Sequence, residues 1–382
     1  MGWEHESPDA MSTNAQQIEH DLQQLWKQMA ESADGEGQQP VMRVCVLNVI
    51  AYAPGEQGNG EVGEIMAEVT IQHPSRIIVV LSNSEATGPR LDAWVTAQCH
   101  LAAGARKQIC CEQIKIAAEG EGVSQVPSMI RSLLVHDLPV VLWWRDIPRC
   151  ESRLFGELLK TSDRVIIDSE RFPDAERGLA GLRTLIGQTA ERTAFSDLSW
   201  SRLTPWRASV AGLFDAPEWR AYLRRLSRVE IRYRQDDAER CSIPSQALLI
   251  ACWLASRLGW RPTSVSRQND NQTLWCEFVS ATVPITLQVT VVPATQGAHV
   301  GLSALTLIAE DGPPVRFGVS RSADGAYLRS DVEVAGKRLP GNVFRLGGQT
   351  EAELISTELE MLGRDALYEQ ALEFLSGLRM VK

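Results

Sequence analysis

The segment Gly58-Asn59-Gly60-Glu61-Val62-Gly63 carries the G-x-G-x-x-G spacing. Between a strand and a helix, that spacing lets a dinucleotide pyrophosphate approach the backbone at a helix N-terminus. Arg43 to Tyr52 reads as such a strand, and Val62, Ile65, Met66 and Val69 trace the apolar stripe of such a helix. Two features oppose nucleotide binding. The loop from Tyr52 to Gly58 is longer than the motif's tight turn, and Glu56, Glu61 and Glu64 set negative charge where a pyrophosphate must sit. An acid-rich helix start also suits the helix macrodipole, so a surface loop leading into a helix is expected, with no cofactor-binding residue assigned.

Other reactive side chains are scattered. Asp137 and Asp146 flank an apolar strand and could do acid–base work, but no nucleophile or oriented base joins them. His136 and Asp137 suit a helix end and Asp146 a capped corner. Histidines 5, 20, 73, 100, 136 and 299 form no H-E-x-x-H, and there is no G-x-S-x-G elbow. Cysteines 45, 99, 110, 111, 150, 241, 252 and 276 lack C-x-x-C or metal-ligand spacing. They are expected to be buried thiols in a reducing cytosol, with Cys110 and Cys111 on opposite faces of a strand. No catalytic residue and no metal site is assigned.

What stands out instead is tryptophan and arginine. Eleven Trp outnumber eight Phe and five Tyr, and Trp suits half-buried positions and interface anchors as well as cores. Leu138-Pro139-Val140-Val141-Leu142-Trp143-Trp144-Arg145-Asp146-Ile147-Pro148 is an apolar strand that ends at two tryptophans and a proline-closed corner. The carboxyl ends of such strands are where ligands or partners dock in α/β sheets. Asp197 to Arg207 holds Trp200, Arg202, Trp206 and Arg207. A helix is expected from Asp215, with Asp215 and Glu218 as a capping box, Trp219, Leu223 and Leu226 on one face, and Arg220, Arg224 and Arg228 on another. That arginine edge reads either as a solvated face or as a basic patch for a phosphate or an acidic protein surface.

The elements that position these residues follow from periodicity. With 382 residues, 44% hydrophobic and 23% charged, the chain can bury two or three cores. A net charge of −10 disfavours nucleic acid and anionic membrane surfaces as partners. The polar first twenty residues show no signal peptide, and no apolar stretch approaches the roughly 18 residues that span a bilayer, so a cytoplasmic protein is expected. Residues 1–17 read as a disordered tail, and Ile18, Leu22, Leu25, Trp26 and Met29 as an amphipathic helix ahead of a glycine-rich linker. From residue 41 to about 235, strands alternate with helices: a doubly wound, mostly parallel sheet with a hairpin added around Gly104. Residues 236–382 read as an α+β domain with antiparallel strands over 273–335, turned at Asp324-Gly325, and C-terminal helices. Thr350 with Glu353 caps the first of these, Asp365 the second, and Gly377 suits a C-cap.

The strand Leu138–Pro148, His73-Pro74-Ser75-Arg76, the Asp197–Arg207 segment and the closing Leu359–Leu372, with Gly363-Arg364-Asp365 and Tyr368, together resemble the OpcA family of glucose-6-phosphate dehydrogenase assembly proteins. The likeness spans residues 40–376. It implies a non-catalytic partner that binds oligomeric glucose-6-phosphate dehydrogenase and allosterically activates it, in carbohydrate metabolism at the start of the oxidative pentose phosphate pathway. The family's link, in oxygenic photosynthetic bacteria, to thioredoxin-dependent control adds thioredoxin as a further partner. Here, however, the last cysteine is Cys276, with no close pair near the C-terminus. On this reading Trp143, Trp144, Trp200 and Trp206 are partner anchors or the core that supports them, Arg202, Arg207, Arg220 and Arg224 are rim charges, and Arg145 is a further partner-binding candidate. The competing expectation is a nucleotide- or sugar-phosphate-binding protein or enzyme using the strand ends after Leu81, Trp144 and Asp168.

Overall fold

The computed structural model describes residues 3–5, 14–33, 41–55, 59–100, 108–149, 151–189, 192–236, 242–268, 272–281, 283–295, 297–347, 350–361 and 363–378. The chain divides into two compact units. One comprises Met1–Asp168, Gln188–Ser196 and Thr350–Arg364, the other Ser169–Gly187, Asp197–Gln349 and Asp365–Lys382. The boundary expected near residue 235 falls within the second unit, at the end of the strand Leu226–Gln235. Periodicity finds elements but not which core each one joins. Helix Ala175–Thr189, expected in the first sheet's helical layer, lies for the most part in the second unit, and Glu351–Glu360, expected in the C-terminal domain, belongs to the first.

The first unit is the expected doubly wound sheet. Gln108–Glu119, Ser75–Asn83, Leu47–Pro54, Val140–Trp144 and Arg164–Ile167 are successive parallel neighbours. The uninterrupted apolar runs Ile77–Leu81 and Val140–Trp144 reflect burial on both faces; Val140–Trp144 is buried throughout. The expected hairpin is the antiparallel pair Arg90–His100 and Gln108–Glu119, whose connection around Gly104 lies outside the described residues. Trp3–His5 pairs antiparallel with Arg90–His100, so part of the expected tail is a sheet strand. Backbone pairing overrides a composition that reads as disordered.

The amphipathic helix, Ala15–Ala33, packs on its own unit. Ile18, Leu22, Leu25 and Met29 are buried, with Leu25 and Met29 against Ala97 and Cys110. Burial of that stripe, rather than helix propensity, holds the element. Arginines tie the returning segment 350–364 to the sheet: Arg164 donates to Ser196 Oγ (2.7 Å) and to the carbonyls of Met361 (2.6 Å) and Gly363 (2.7 Å). Desolvation lowers the pKa of this guanidinium. Thr350 and Glu353 form the expected capping box, each side chain accepting from the other's backbone N–H.

One cysteine expectation is corrected. Cys99 and Cys110 face each other across the antiparallel pair with Cα atoms 4.1 Å apart, and they form a disulfide rather than two thiols. The close separation suits a non-hydrogen-bonded pair, which depends on a register that residue spacing does not reveal. Cys111, Cys252 and Cys276 are buried thiols as expected and Cys45 is half-buried, whereas Cys150 and Cys241 lie outside the described residues.

The second unit is built on an eight-stranded sheet in the order Arg261–Gln268, Thr273–Ser280, Val283–Pro293, Leu226–Gln235, Gly301–Ala309, Val315–Arg321, Tyr327–Val334, Lys337–Arg345. All neighbours are antiparallel except Leu226–Gln235 with Val283–Pro293. The helix expected from Asp215 is not formed. A short helix, Pro217–Arg220, and one 3₁₀ turn, Ala221–Arg224, give way to the strand Leu226–Gln235, which carries Arg228. Val229, Ile231 and Tyr233 are buried alternately with polar neighbours, and this period of two defeats the helical stripe. Nor is there a capping box at Asp215: the N-cap is Ala216, without a side-chain bond. Helices Ser245–Arg257 and Ala366–Leu378 pack on each other. Asp365 caps the latter, its Oδ1 accepting from the backbone N–H of Leu367 (2.9 Å) and Tyr368 (3.0 Å), while Gly377 lies inside that helix rather than at its end. The edge strand Lys337–Arg345 is exposed along its length, and its Lys337, Arg338, Pro340 and Arg345 are residue types that blunt edge pairing.

Candidate functional site

The sequence-selected residues fall into two groups, one in each unit. In the first unit they meet at the carboxyl end of Val140–Trp144. Trp143 and Trp144 are 0% and 2% exposed, so neither presents an anchor surface to a partner. Of the two expectations, anchor or supporting core, burial supports the core. Trp144 stacks on Tyr52 with centroids 3.7 Å apart and 9° between planes, and meets Phe155 at 4.9 Å. Both indole N–H groups are buried without an acceptor, a cost of roughly 1–3 kcal/mol each offset by the buried aromatic area.

Arg145 closes this strand end. Its backbone N–H donates to the Tyr52 carbonyl (3.1 Å) and its guanidinium lies 5.0 Å from the centre of the Trp143 ring. Nη2 reaches Glu61 Oε1 at 2.9 Å and Glu351 Oε2 at 3.3 Å. Glu61 sits in the first turn of helix Asn59–Gln72, the helix that follows the glycine motif. A carboxylate held by Arg145 thus stands at the helix start where a pyrophosphate would need to bind. Gly58 lies outside the described residues. Glu61 was legible as an obstacle to nucleotide binding; Glu351, some 200 residues away in sequence, carried no signal.

In the second unit the group centres on Asp197, which is 1% exposed. Its Oδ1 accepts from the backbone N–H of Ser169 and Ser199, each at 3.0 Å, and its Oδ2 from the hydroxyl of Tyr368 at 3.0 Å. Asp197 is also the N-cap of the turn Leu198–Arg202. Trp200, 3% exposed, donates through Nε1 to Asp365 Oδ2 at 2.6 Å. Arg207 lies over the Trp200 ring, 3.6 Å from its centre, and donates to the Trp200 carbonyl (2.8 Å) and Thr204 Oγ1 (3.0 Å). Arg207 therefore braces this core. Trp206 is 2% exposed and, with Arg202, lines a cavity of the same unit. The Asp-x-Ser spacing is a cap signal at Asp197 that the sequence reading passed over, and its bond to Tyr368 crosses 171 positions of sequence.

Of the arginines selected from the sequence, the two after residue 215 present exposed charge. Arg220 and Arg224 are exposed; Arg220 donates to the carbonyls of Phe214 (3.3 Å) and Asp215 (2.9 Å), which fixes its direction. Among the described residues no group of three or more His, Cys, Asp or Glu is placed to hold a metal ion, and no helix is long and apolar enough to cross a membrane.

A mostly parallel α/β unit joined to a mixed, mostly antiparallel sheet unit, with tryptophans packed into both cores, defines the class of protein. The sequence matches the families described as glucose-6-phosphate dehydrogenase subunit N-terminal domain, over residues 66–184, and C-terminal domain, over residues 193–372. The chain belongs to this OpcA family. It is 30% identical over 317 residues to the putative OxPP cycle protein OpcA of Nostoc punctiforme, covering 81% of this chain and 66% of that protein. A relative of the same name from Synechocystis sp. is 29% identical over 333 residues, covering 86% and 67%. The chain spans about two thirds of the length of these curated relatives. Among solved structures it is similar to the transcriptional regulator Gal80p of Kluyveromyces lactis, with TM-score 0.47, 11% identity and coverage of 95% and 96% of the two chains. A putative oxidoreductase, YvaA of Bacillus subtilis, also aligns at TM-score 0.47, with 9% identity and coverage of 87% and 96%.

Proposed function

We propose that this chain is a non-catalytic, cytoplasmic assembly factor that binds oligomeric glucose-6-phosphate dehydrogenase and raises its activity at the first step of the oxidative pentose phosphate pathway. The observation that carries this reading is the match of both parts of the chain, 66–184 and 193–372, to families described as subunit domains of that dehydrogenase. The names of the relatives place them in the same cycle. None of those names carries a thioredoxin partner, and thioredoxin is not part of the proposal. The competing use of the strand end after Trp144 has no observation in its favour: Arg145 is committed to Glu61 and Glu351 there.

An activator works only by binding the active state of its partner more tightly than the inactive state, with coupling of roughly 1–3 kcal/mol for 5- to 150-fold effects. In this chain the buried indoles of Trp143, Trp144, Trp200 and Trp206 stiffen the units, and exposed Arg220 and Arg224 supply contact charge. The test is a calorimetric titration of the dehydrogenase with the wild-type chain and with the Arg220→Ala/Arg224→Ala variant. Saturable binding weakened several-fold by the variant, more so at low salt, is expected. Absence of wild-type binding refutes the function, whereas wild-type affinity in the variant removes only the arginines.

A further inference from the structure

The second unit contains a cavity of about 580 Å³ to which the proposed assembly role assigns no part. Its size is within the range of small-molecule sites. The wall combines Trp206, Phe172 and Tyr233 with Arg202, Arg321, His299 and Gln235. Polar and aromatic groups are thus concentrated around a space large enough for a metabolite.

Three observations say what chemistry fits. First, Arg321 is only partly exposed, and among the described residues it pairs with no carboxylate; its Nε donates to the Gly325 carbonyl at 3.1 Å. A guanidinium withdrawn from water without a counter-charge calls for an anion. Burial lowers its pKa to about 10, still cationic at neutral pH. Second, a Cβ placed on Gly301 would stand 3.7 Å from Arg321 Nη1 and 3.5 Å from His299 Nε2, so both nitrogens border the space left by the missing side chain. Gly301 has φ +123°, a conformation other residues rarely adopt, and the His299 ring lies so close over Gly325 that a Cβ there would be 3.0 Å away. The pair of nitrogens is therefore set by two glycines. Third, Gln235 lines the cavity and is 9% exposed, and its buried Oε1 has no donor among the described residues. A buried amide oxygen without a partner calls for a hydroxyl or N–H.

The cavity also contains acids. Glu170 already accepts from the Tyr233 hydroxyl at 2.6 Å and from Gln246 Nε2 at 3.3 Å, and Asp236 is exposed to solvent. Neither pairs with Arg321, so the cationic end keeps its charge.

We propose that this cavity binds a sugar phosphate, its phosphate between Arg321 and His299 and a hydroxyl donating to Gln235 Oε1. Arg321 supplies charge and forked donors, which recognise a phosphate oxygen pair. A neutral sugar would leave Arg321 unpaired, and inorganic phosphate would leave Gln235 unpaired.

The test is calorimetry on the intact chain, without any dehydrogenase, using glucose 6-phosphate, fructose 6-phosphate, glucose and inorganic phosphate. Saturable binding of at least one phosphorylated sugar is expected, at least about tenfold tighter than glucose or phosphate. Arg321→Gln and, separately, His299→Gln should each weaken it about tenfold or more, whereas Arg338→Gln on the edge strand should not. Melting curves identify any variant that fails to fold, and the other variant then decides. No binding of either sugar phosphate up to about 10 mM overturns the proposal. So does equal binding of glucose, or full affinity in both cavity variants. Because no partner protein is present, a failure here leaves the assembly role standing.

Discussion

Replacing Arg145 by methionine separates a sealed strand end from a ligand site. The substitution keeps much of the side-chain volume and removes the guanidinium held by two carboxylates. Breaking a fully buried pair costs about 3–5 kcal/mol, but the two partners differ. The Glu61 side chain is 59% exposed, so its share is at most about 1 kcal/mol. The Glu351 side chain is 14% exposed against 5% for Arg145, and this half of the contact carries most of the loss. We expect Arg145→Met to cost about 2 kcal/mol, a fall in Tm of about 4–8 °C for a unit of this size. The local readout is hydrogen exchange of Val140–Trp144, which should speed up about 30-fold. Glu351→Gln should reproduce most of the effect, Glu61→Gln little of it, and the Arg145→Met/Glu351→Gln double variant should fall short of the sum. Unchanged melting and exchange would refute the structural role of Arg145. Binding of NADP to the wild-type chain that Arg145→Met abolished would restore the strand end as a ligand site.

Trp144→Ala should cost about 3–5 kcal/mol, so that chemical denaturation shows stability and dehydrogenase binding falling together; a stable variant that has lost only binding would make Trp144 an anchor after all. Tyr368→Phe removes one hydrogen bond to the buried Asp197 carboxylate and should destabilise the second unit by about 1.5–3 kcal/mol, read by exchange protection in helix Ala366–Leu378, with wild-type protection as the contrary result. Burial pushes the Cys111 thiol up to about 11 and the Cys276 thiol up to about 12 from 9.0. In the unfolded chain these thiols ionise first, so their stabilising share is complete below pH 9 and is lost as pH rises towards the folded values, by about 2 kcal/mol per thiol at pH 11. Urea titrations at pH 8 and pH 11 check this, and no loss would contradict it. Peptide mapping after iodoacetamide at pH 8 should find Cys111 and Cys276 unlabelled in the native chain, and Cys99 and Cys110 labelled only after reduction.

The central parallel strands were legible because Ile77-Ile78-Val79-Val80-Leu81 and Val140–Trp144 are apolar without alternation, and only burial on both faces produces such a run. The Thr350–Glu353 capping box was legible because it closes within four residues. What escaped depends on long-range pairing. The helices Ala175–Thr189 and Glu351–Glu360 have ordinary amphipathic patterns that do not say which core they join. The Cys99–Cys110 bridge depends on hairpin register, and the ties from Arg145 to Glu351 and from Tyr368 to Asp197 depend on tertiary closure. Tryptophan type alone could not separate anchor from core, and burial favoured the core at Trp143, Trp144, Trp200 and Trp206. The cavity around Arg321, His299 and Gln235 had no linear signature because its walls come from segments spread between residues 170 and 321.

In the proposed role this chain acts on glucose-6-phosphate dehydrogenase without chemistry of its own. The most direct test is a glucose 6-phosphate saturation curve of the cognate dehydrogenase, with and without the purified chain, beside an assay of the chain alone. The half-saturation concentration should fall about fivefold or more, with no turnover by the chain alone. An unshifted curve at saturating, demonstrated binding, or hydride transfer by the isolated chain, would contradict it.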